Sequence, residues 1–245
     1  MFNWSEADKI AIPVMMLIVA ALAVALAFLL RGKSEKIKNI PLHIIAALMI
    51  GLEIAKQLYF LISGTYHLGV IPVHFCSYMI MIISLAQWLP KKYSTFFQVP
   101  AVVFSILIWE LLLIHPSSMI GNYSTTMFQS FPGFHSFFFH SLVVCYAVFR
   151  LVLCKHSLKW IYLLSFPVCV LFYAAYAVPV AFKLGFNYIN ILYSYFQPLE
   201  KFRLSCGQVA YDILLFSIAI AVSCLIFVVW FFIIKLINKR RKKNA

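Results

Sequence analysis

Seven runs of about twenty predominantly apolar residues, parted by short polar connections, take up nearly all of this 245-residue chain. A helix needs roughly 20 such residues to cross a bilayer. In hydrocarbon each backbone N–H and C=O must find its partner within the protein, which leaves helices as the only form for isolated spans. The runs lie at about 10–30, 41–62, 72–89, 96–114, 133–153, 159–182 and 207–236. They predict an all-α membrane protein, a seven-transmembrane helical bundle that occupies residues 1–245 as a single domain. The first span closes at Arg31-Gly32-Lys33, the second at Ser63-Gly64, the third at Trp88-Leu89-Pro90 and the fourth at His115-Pro116. Ser117 to Pro132 reads as a loop with a Gly121-Asn122 turn.

Composition removes the alternatives. The chain is 64% hydrophobic and 11% charged, whereas a soluble domain carries roughly 45–50% and 25%. There is too little polar surface to cover a water-soluble globule. Met1 to Ile10 is acidic, and the run after it is long enough to span, so no cleavable signal peptide is expected. The six cysteines are scattered, with no C-x-x-C pair and no metal-ligand spacing. No internal repeat supports an inverted-repeat transporter.

The formal charge of +13 would suggest nucleic acid in a soluble protein. Here the cations sit in short loops and in the tail, where they orient the chain. Arg31, Lys33, Lys36, Lys38, Lys91, Lys92, Arg150, Lys155, Lys159, Lys235, Lys239, Arg240, Arg241, Lys242 and Lys243 fall on one side. Lys9, Lys183, Lys201 and Arg203 fall on the other, and Lys56 lies within a span. The bias predicts an outer N-terminus and a cytoplasmic C-terminus in a multi-pass protein of the cell membrane. The tail Lys239-Arg240-Arg241-Lys242-Lys243 reads as an anchor to anionic lipid, and no nucleic-acid partner is expected.

A charged side chain at membrane depth costs roughly 2.5–3.5 kcal/mol on insertion scales, so each one is a functional candidate. Glu53 and Lys56, three apart, can neutralise each other, and Gln57 shares the Glu53 face. His74 and Cys76 open the third span, Glu110 lies one turn from the end of the fourth, and His135 and His140 occupy the start of the fifth. Gln208 and Asp212, four apart, open the seventh. The topology puts all of these in the outer half and leaves the inner half almost purely apolar. The pattern points to one polar cavity opening outward; the alternative is a set of interhelical hydrogen bonds.

Cys76 is a candidate nucleophile, which needs a base to activate it. His74, two residues away, would lie about 200° around a helix, so the base should come from another helix. At 1.5 Å per residue, Cys76 and His140 reach depths that agree to within roughly one turn. Cys145, Cys154, Cys169 and Cys224 sit in apolar stretches and read as packing. His74, Cys76, His135 and His140 lack a recognised ligand spacing, so no metal is expected, and no motif implies a cofactor.

Pro72-Val73-His74-Phe75-Cys76-Ser77 resembles the L-P-x-H-x-C-S signature of the YwaF-type family of bacterial seven-helix membrane proteins. Glu53, the Phe134-His135-Ser136…Phe139-His140 segment and Gly185-Phe186-Asn187-Tyr188 fit the same family. That family is similar to an animal transmembrane acyltransferase that remodels ether phospholipids, in which a Cys and a His on separate helices are catalytic. The resemblance implies phospholipid acyl transfer or hydrolysis, with Cys76 as nucleophile and His140 as base, His135 being the rival. It leaves His74, Asn187 and Tyr188 as oxyanion candidates, and Asp212 or Glu110 to orient the histidine. Gly207-Gln208-Val209-Ala210-Tyr211-Asp212 departs from the aromatic-proline-tryptophan segment expected there. The intramembrane carboxylates favour a second reading, a transporter or small-molecule-binding membrane subunit.

Overall fold

A computed structural model describes residues 6–114, 130–154 and 158–243. Among them are eight α-helices: α1 (Glu6–Leu30), α2 (Glu35–Ile62), α3 (Phe75–Trp88), α4 (Lys91–Ile114), α5 (Phe131–Leu153), α6 (Ser165–Leu184), α7 (Gln197–Cys206) and α8 (Gln208–Lys243). Three short 3-10 turns, Leu68–Val70, Trp160–Leu164 and Tyr188–Asn190, link them. Seven segments are long and apolar enough to cross a membrane: Ile10–Leu30, Glu35–Ile62, Leu68–Trp88, Lys91–Ile114, Phe131–Leu153, Trp160–Leu184 and Gln208–Ile237. These coincide with the seven runs read from the sequence. The predicted loop at Ser117, with its Gly121-Asn122 turn, lies outside the described residues up to position 129, as does His115-Pro116.

Two boundaries move. The second span begins at Glu35, so that Pro41 lies inside its helix, and the fourth begins at Lys91 rather than at about 96, with Pro100 inside its helix as expected. A proline forfeits one backbone hydrogen bond, which a bundle tolerates where neighbouring groups take up the freed carbonyl.

The chain falls into two compact units. The first comprises residues 1–66 and 79–155, the second residues 67–78 and 156–245, so α3 is divided after Tyr78. In the first unit α5 is the central helix, packed against α1, α2 and α4. Its apolar window is 67% buried, whereas no other span exceeds 50%. Ser130 caps its start by accepting the Gly133 N–H, with Pro132 in the first turn.

In the second unit α6 and α7 pack against α8. The segment 67–78 is held there by three buried tyrosine hydroxyls. Tyr188 donates to the Leu68 carbonyl at 2.6 Å, Tyr173 to Val73 at 2.8 Å, and Tyr78 to Cys169 at 2.8 Å. Each bond satisfies one phenol and one carbonyl that would otherwise be unpaired in a medium without water. Gly185 ends α6 in the left-handed conformation, φ 63°. Ile189 also has positive φ, 42°, a costly geometry for a β-branched residue. Hydrogen bonds to the two residues after it hold it: Tyr211 Oη donates to the Asn190 carbonyl and Gln208 Nε2 to the Ile191 carbonyl. Gly69 sits so close to Phe186 that a β-carbon would lie 3.0 Å from its ring.

The stretch that joins the last two spans, where neither apolar run extends, ends in a regular helix, α7. Gln197-Pro198 starts that helix, where proline's missing N–H costs nothing. The Glu200 carboxylate then receives the Ser194 N–H at 2.8 Å and Arg203 Nε at 3.0 Å. The Arg203 guanidinium, with the Ser194 amide, holds the Glu200 carboxyl down at about 2. A depressed carboxyl adds stability that is fully present above its ordinary value and is lost as pH falls through the lowered one. Exchange of the Ser194 amide, corrected for its intrinsic rate, should therefore be flat from pH 8 to about 5 and rise only as pH falls from about 4 toward 2. Glu200→Gln should raise it at neutral pH, and equal exchange in the two proteins would contradict the assignment.

Candidate functional site

The sequence-predicted residues resolve into one cluster in each unit. In the first unit, Glu53 and Lys56 on α2 form an ion pair at 2.8 Å, both largely buried. Gln57 Nε2 donates to the same carboxylate at 2.7 Å, and Tyr66 Oη donates to Gln57 Oε1 at 2.8 Å. The helical spacings of three and four residues thus make the contacts expected of them. Glu53 Oε2 is buried without a hydrogen-bond partner among the described residues.

His135 and His140 come from α5, 7% and 4% exposed. Five residues apart, they diverge by about 140° around the helix. His135 looks toward α2, within electrostatic range of Lys56, and stacks on Phe139 at 5.8 Å. Its Nε2 is buried with no hydrogen-bond partner among the described residues. His140 Nδ1 lies 2.7 Å from the Ser136 carbonyl. A carbonyl only accepts, so Nδ1 carries the proton and Nε2 is the basic nitrogen of the neutral ring. One turn of helix therefore fixes both the orientation and the tautomer of His140.

Cys76 and His74 belong to the second unit. Cys76 is half-buried in the first turn of α3, the positive end of the helix dipole, which suits an anionic sulfur. It lies within electrostatic range of Tyr173, one of the three tyrosines that hold its segment. His74 precedes the helix, its carbonyl accepting the Tyr78 N–H, and its ring meets Tyr188 edge-on at 5.1 Å and Phe186 at 6.3 Å.

The supporting residues divide by what holds them. Asn187 is committed to its own loop, accepting from Leu192 N at 2.8 Å and donating to the Tyr193 carbonyl at 2.9 Å. Tyr188 spends its hydroxyl proton on Leu68. Gln208 Nε2 donates to Asp212 Oδ1 at 2.9 Å, as the spacing foretold. Glu110 is exposed on the surface of α4. Each unit also carries an apolar recess. One of about 350 Å³ is lined by Leu22, Leu26, Phe138 and Cys145, and one of about 220 Å³ by Leu171, Phe216 and Ile220, with Asp212 at its wall. Among the described residues no three His, Cys, Asp or Glu side chains converge in a way that would hold a metal ion.

One expectation is overturned. The end of the first unit away from His135 is not purely apolar, because Arg150 lies within α5, 8% exposed, rather than in a loop. Its Nη2 donates to Gln98 Oε1 at 2.7 Å and its Nη1 to Cys154 Sγ at 3.2 Å. Cys154 is therefore an acceptor as well as a packing residue. Gln98 is tied in turn to Ser94 at 3.3 Å, and Gln87 Nε2 donates to Tyr146 Oη at 2.7 Å nearby. Polar residues on three helices at that depth were the available signal.

Because Glu53 and Lys56 neutralise each other out of water, removing one strands the other. Lys56→Met should lower the stability of the purified protein in detergent by about 3 kcal/mol. The Glu53→Gln/Lys56→Met double variant should recover most of that loss in a thermal melt. A double variant as unstable as the single one would show that the pair is not the source of the effect.

No curated protein and no solved structure matches the chain. A family model described as the TMEM164 family matches residues 1–229. With that match covering six of the candidate membrane segments and most of the seventh, the chain belongs to the TMEM164 family of integral membrane proteins.

Proposed function

We propose that this protein is a phospholipid acyltransferase of the cell membrane that works through a cysteine acyl-thioester. The reading rests on the motif resemblance to YwaF-type proteins, and His140 is the observation that carries it. A buried imidazole whose Nδ1–H is tied to a backbone carbonyl has Nε2 as its basic nitrogen. Cys76, at the start of α3, is the nucleophile.

In the first half-reaction the Cys76 sulfur attacks the ester carbonyl carbon of a donor phospholipid, and the thiol proton passes to a general base, the role that the family resemblance implies for His140. The carbon–oxygen bond breaks, and the lysolipid oxygen leaves with that proton. In the second, the same base removes the proton of an acceptor hydroxyl, whose oxygen attacks the thioester. The carbon–sulfur bond breaks, and the sulfur takes back its proton. Water as acceptor makes the same cycle a hydrolysis. His74, Asn187 and Tyr188 are the candidates for the oxyanion, Asn187 and Tyr188 each with a donor already engaged.

A second reading, transport or small-molecule binding, is favoured by the intramembrane Glu53–Lys56 pair and the unpartnered Glu53 Oε2. Intact-protein mass spectrometry after incubation with mixed phospholipids separates the two. A hydroxylamine-sensitive fatty-acyl mass is expected on the wild type and not on Cys76→Ala. His140→Ala should slow its formation at least about 100-fold, the usual scale for loss of a general base, and His135→Ala far less. No adduct on the wild type, with Cys76 inert to a thiol probe, would decide for transport. The orientation proposed from the charge bias has its own check. A membrane-impermeant maleimide should label Cys206, which is exposed at the end of α7, from outside intact cells.

A further inference from the structure

Arg150 poses a problem of charge. It is 8% exposed, within a span, and no carboxylate lies within 4.0 Å of it among the described residues. Its hydrogen-bond partners among the described residues, the Gln98 amide oxygen and the Cys154 sulfur, are both neutral acceptors. Its Nε–H is buried and has no partner among the described residues. The C-terminus of α5 supplies only a partial negative charge, about half a unit. Nearby charge does not complete the balance. Glu35 and Lys38 lie within electrostatic range of Cys154, but they pair with each other at 3.1 Å. Their sum is zero, and the guanidinium charge remains.

A buried arginine without a counter-charge is costly, and cations at membrane depth characteristically mark binding sites. The missing element must be an anion, must accept an N–H from a planar fork, and must reach the end of the bundle where α2 and α4 begin. A phosphate meets all three conditions, because guanidinium and phosphate match in bidentate geometry. The surroundings suit it: Lys38 is 14% exposed, and Lys91 and Lys92 stand exposed at the start of α4. Basic pockets between spanning helices at headgroup depth are sites for anionic lipid.

We propose that Arg150, with Gln98 beside it and Lys38 at the rim, binds a phosphate group, carried by a membrane phospholipid or free in solution. The phosphate oxygens take the Nε–H and share the Nη donors, displacing the weak Cys154 sulfur contact. The site is independent of the acyl-transfer proposal and uses none of its residues. Its α5 position is about 22 Å along the helix from His135.

Native mass spectrometry of the full chain tests it, with dioleoyl phosphatidylglycerol, dioleoylglycerol and inorganic phosphate titrated separately. Wild type should retain one phosphatidylglycerol far better than dioleoylglycerol. Arg150→Gln should weaken that binding at least about tenfold, the loss expected for one bidentate pair. Lys91→Gln/Lys92→Gln, which thins the basic surface without touching the site, should change it less than about twofold. Competition by inorganic phosphate identifies the free anion as the ligand, and its failure identifies the lipid headgroup; both support the site. Equal retention of the two lipids, or equal binding by wild type and Arg150→Gln, overturns it. If Arg150→Gln does not fold, the wild-type melting temperature decides. It should rise with phosphatidylglycerol and not with dioleoylglycerol, and an equal response to both overturns the proposal.

Discussion

An unpaired polar group has no water to fall back on inside a bilayer, and the described structure is organised around that one cost. Where a span carries a polar side chain, the fold supplies a partner within one or two helical turns or from the neighbouring helix. Glu53, Lys56, Gln57 and Tyr66 are chained in this way, as are Gln87 with Tyr146 and Gln98 with Ser94 and Arg150. The tyrosines of the second unit extend the same rule to the backbone. Their phenols reach carbonyls in a segment whose 3-10 turn and N-terminal bend interrupt regular helical pairing. Against this background several exceptions stand out, among them Glu53 Oε2, His135 Nε2 and Arg150 Nε, each buried without a hydrogen-bond partner among the described residues.

What was legible in the sequence follows from the range of each interaction. The seven spans are written in runs of about 20 apolar residues and emerge from hydropathy alone. Contacts within one helix are also readable, since a spacing of three or four residues nearly dictates them: Glu53 with Lys56, Gln208 with Asp212. One proline misled, because Pro41 reads as a helix start and here lies inside α2. Helix α7 was hidden because its polar, aromatic-flanked composition reads equally well as a loop.

Long-range pairings left no trace. Gln98 and Arg150 are 52 residues apart, and an arginine four residues from a span end counts as a loop cation in any tally of charges. The tyrosine bonds run to backbone carbonyls 91, 100 and 120 residues away. A carbonyl carries no residue identity, so no motif could have announced them. Of the candidate site, residue types were legible and residue roles were not. Asn187 and Tyr188 looked like donors for a developing oxyanion, yet their hydrogens are engaged in holding their own loop and the segment next to it. The tautomer of His140, by contrast, depends on a carbonyl four residues earlier in the same helix.

The tyrosine hold on residues 67–78 has a bearing on how this family can diversify. Two of the three hydroxyls, those of Tyr173 and Tyr188, come from outside the stretch and grip it through its backbone oxygens, and the third belongs to Tyr78. None of the three bonds uses the side chain of His74 or Cys76. A lineage that kept Tyr78, Tyr173 and Tyr188 would keep this anchor through changes at His74 and Cys76.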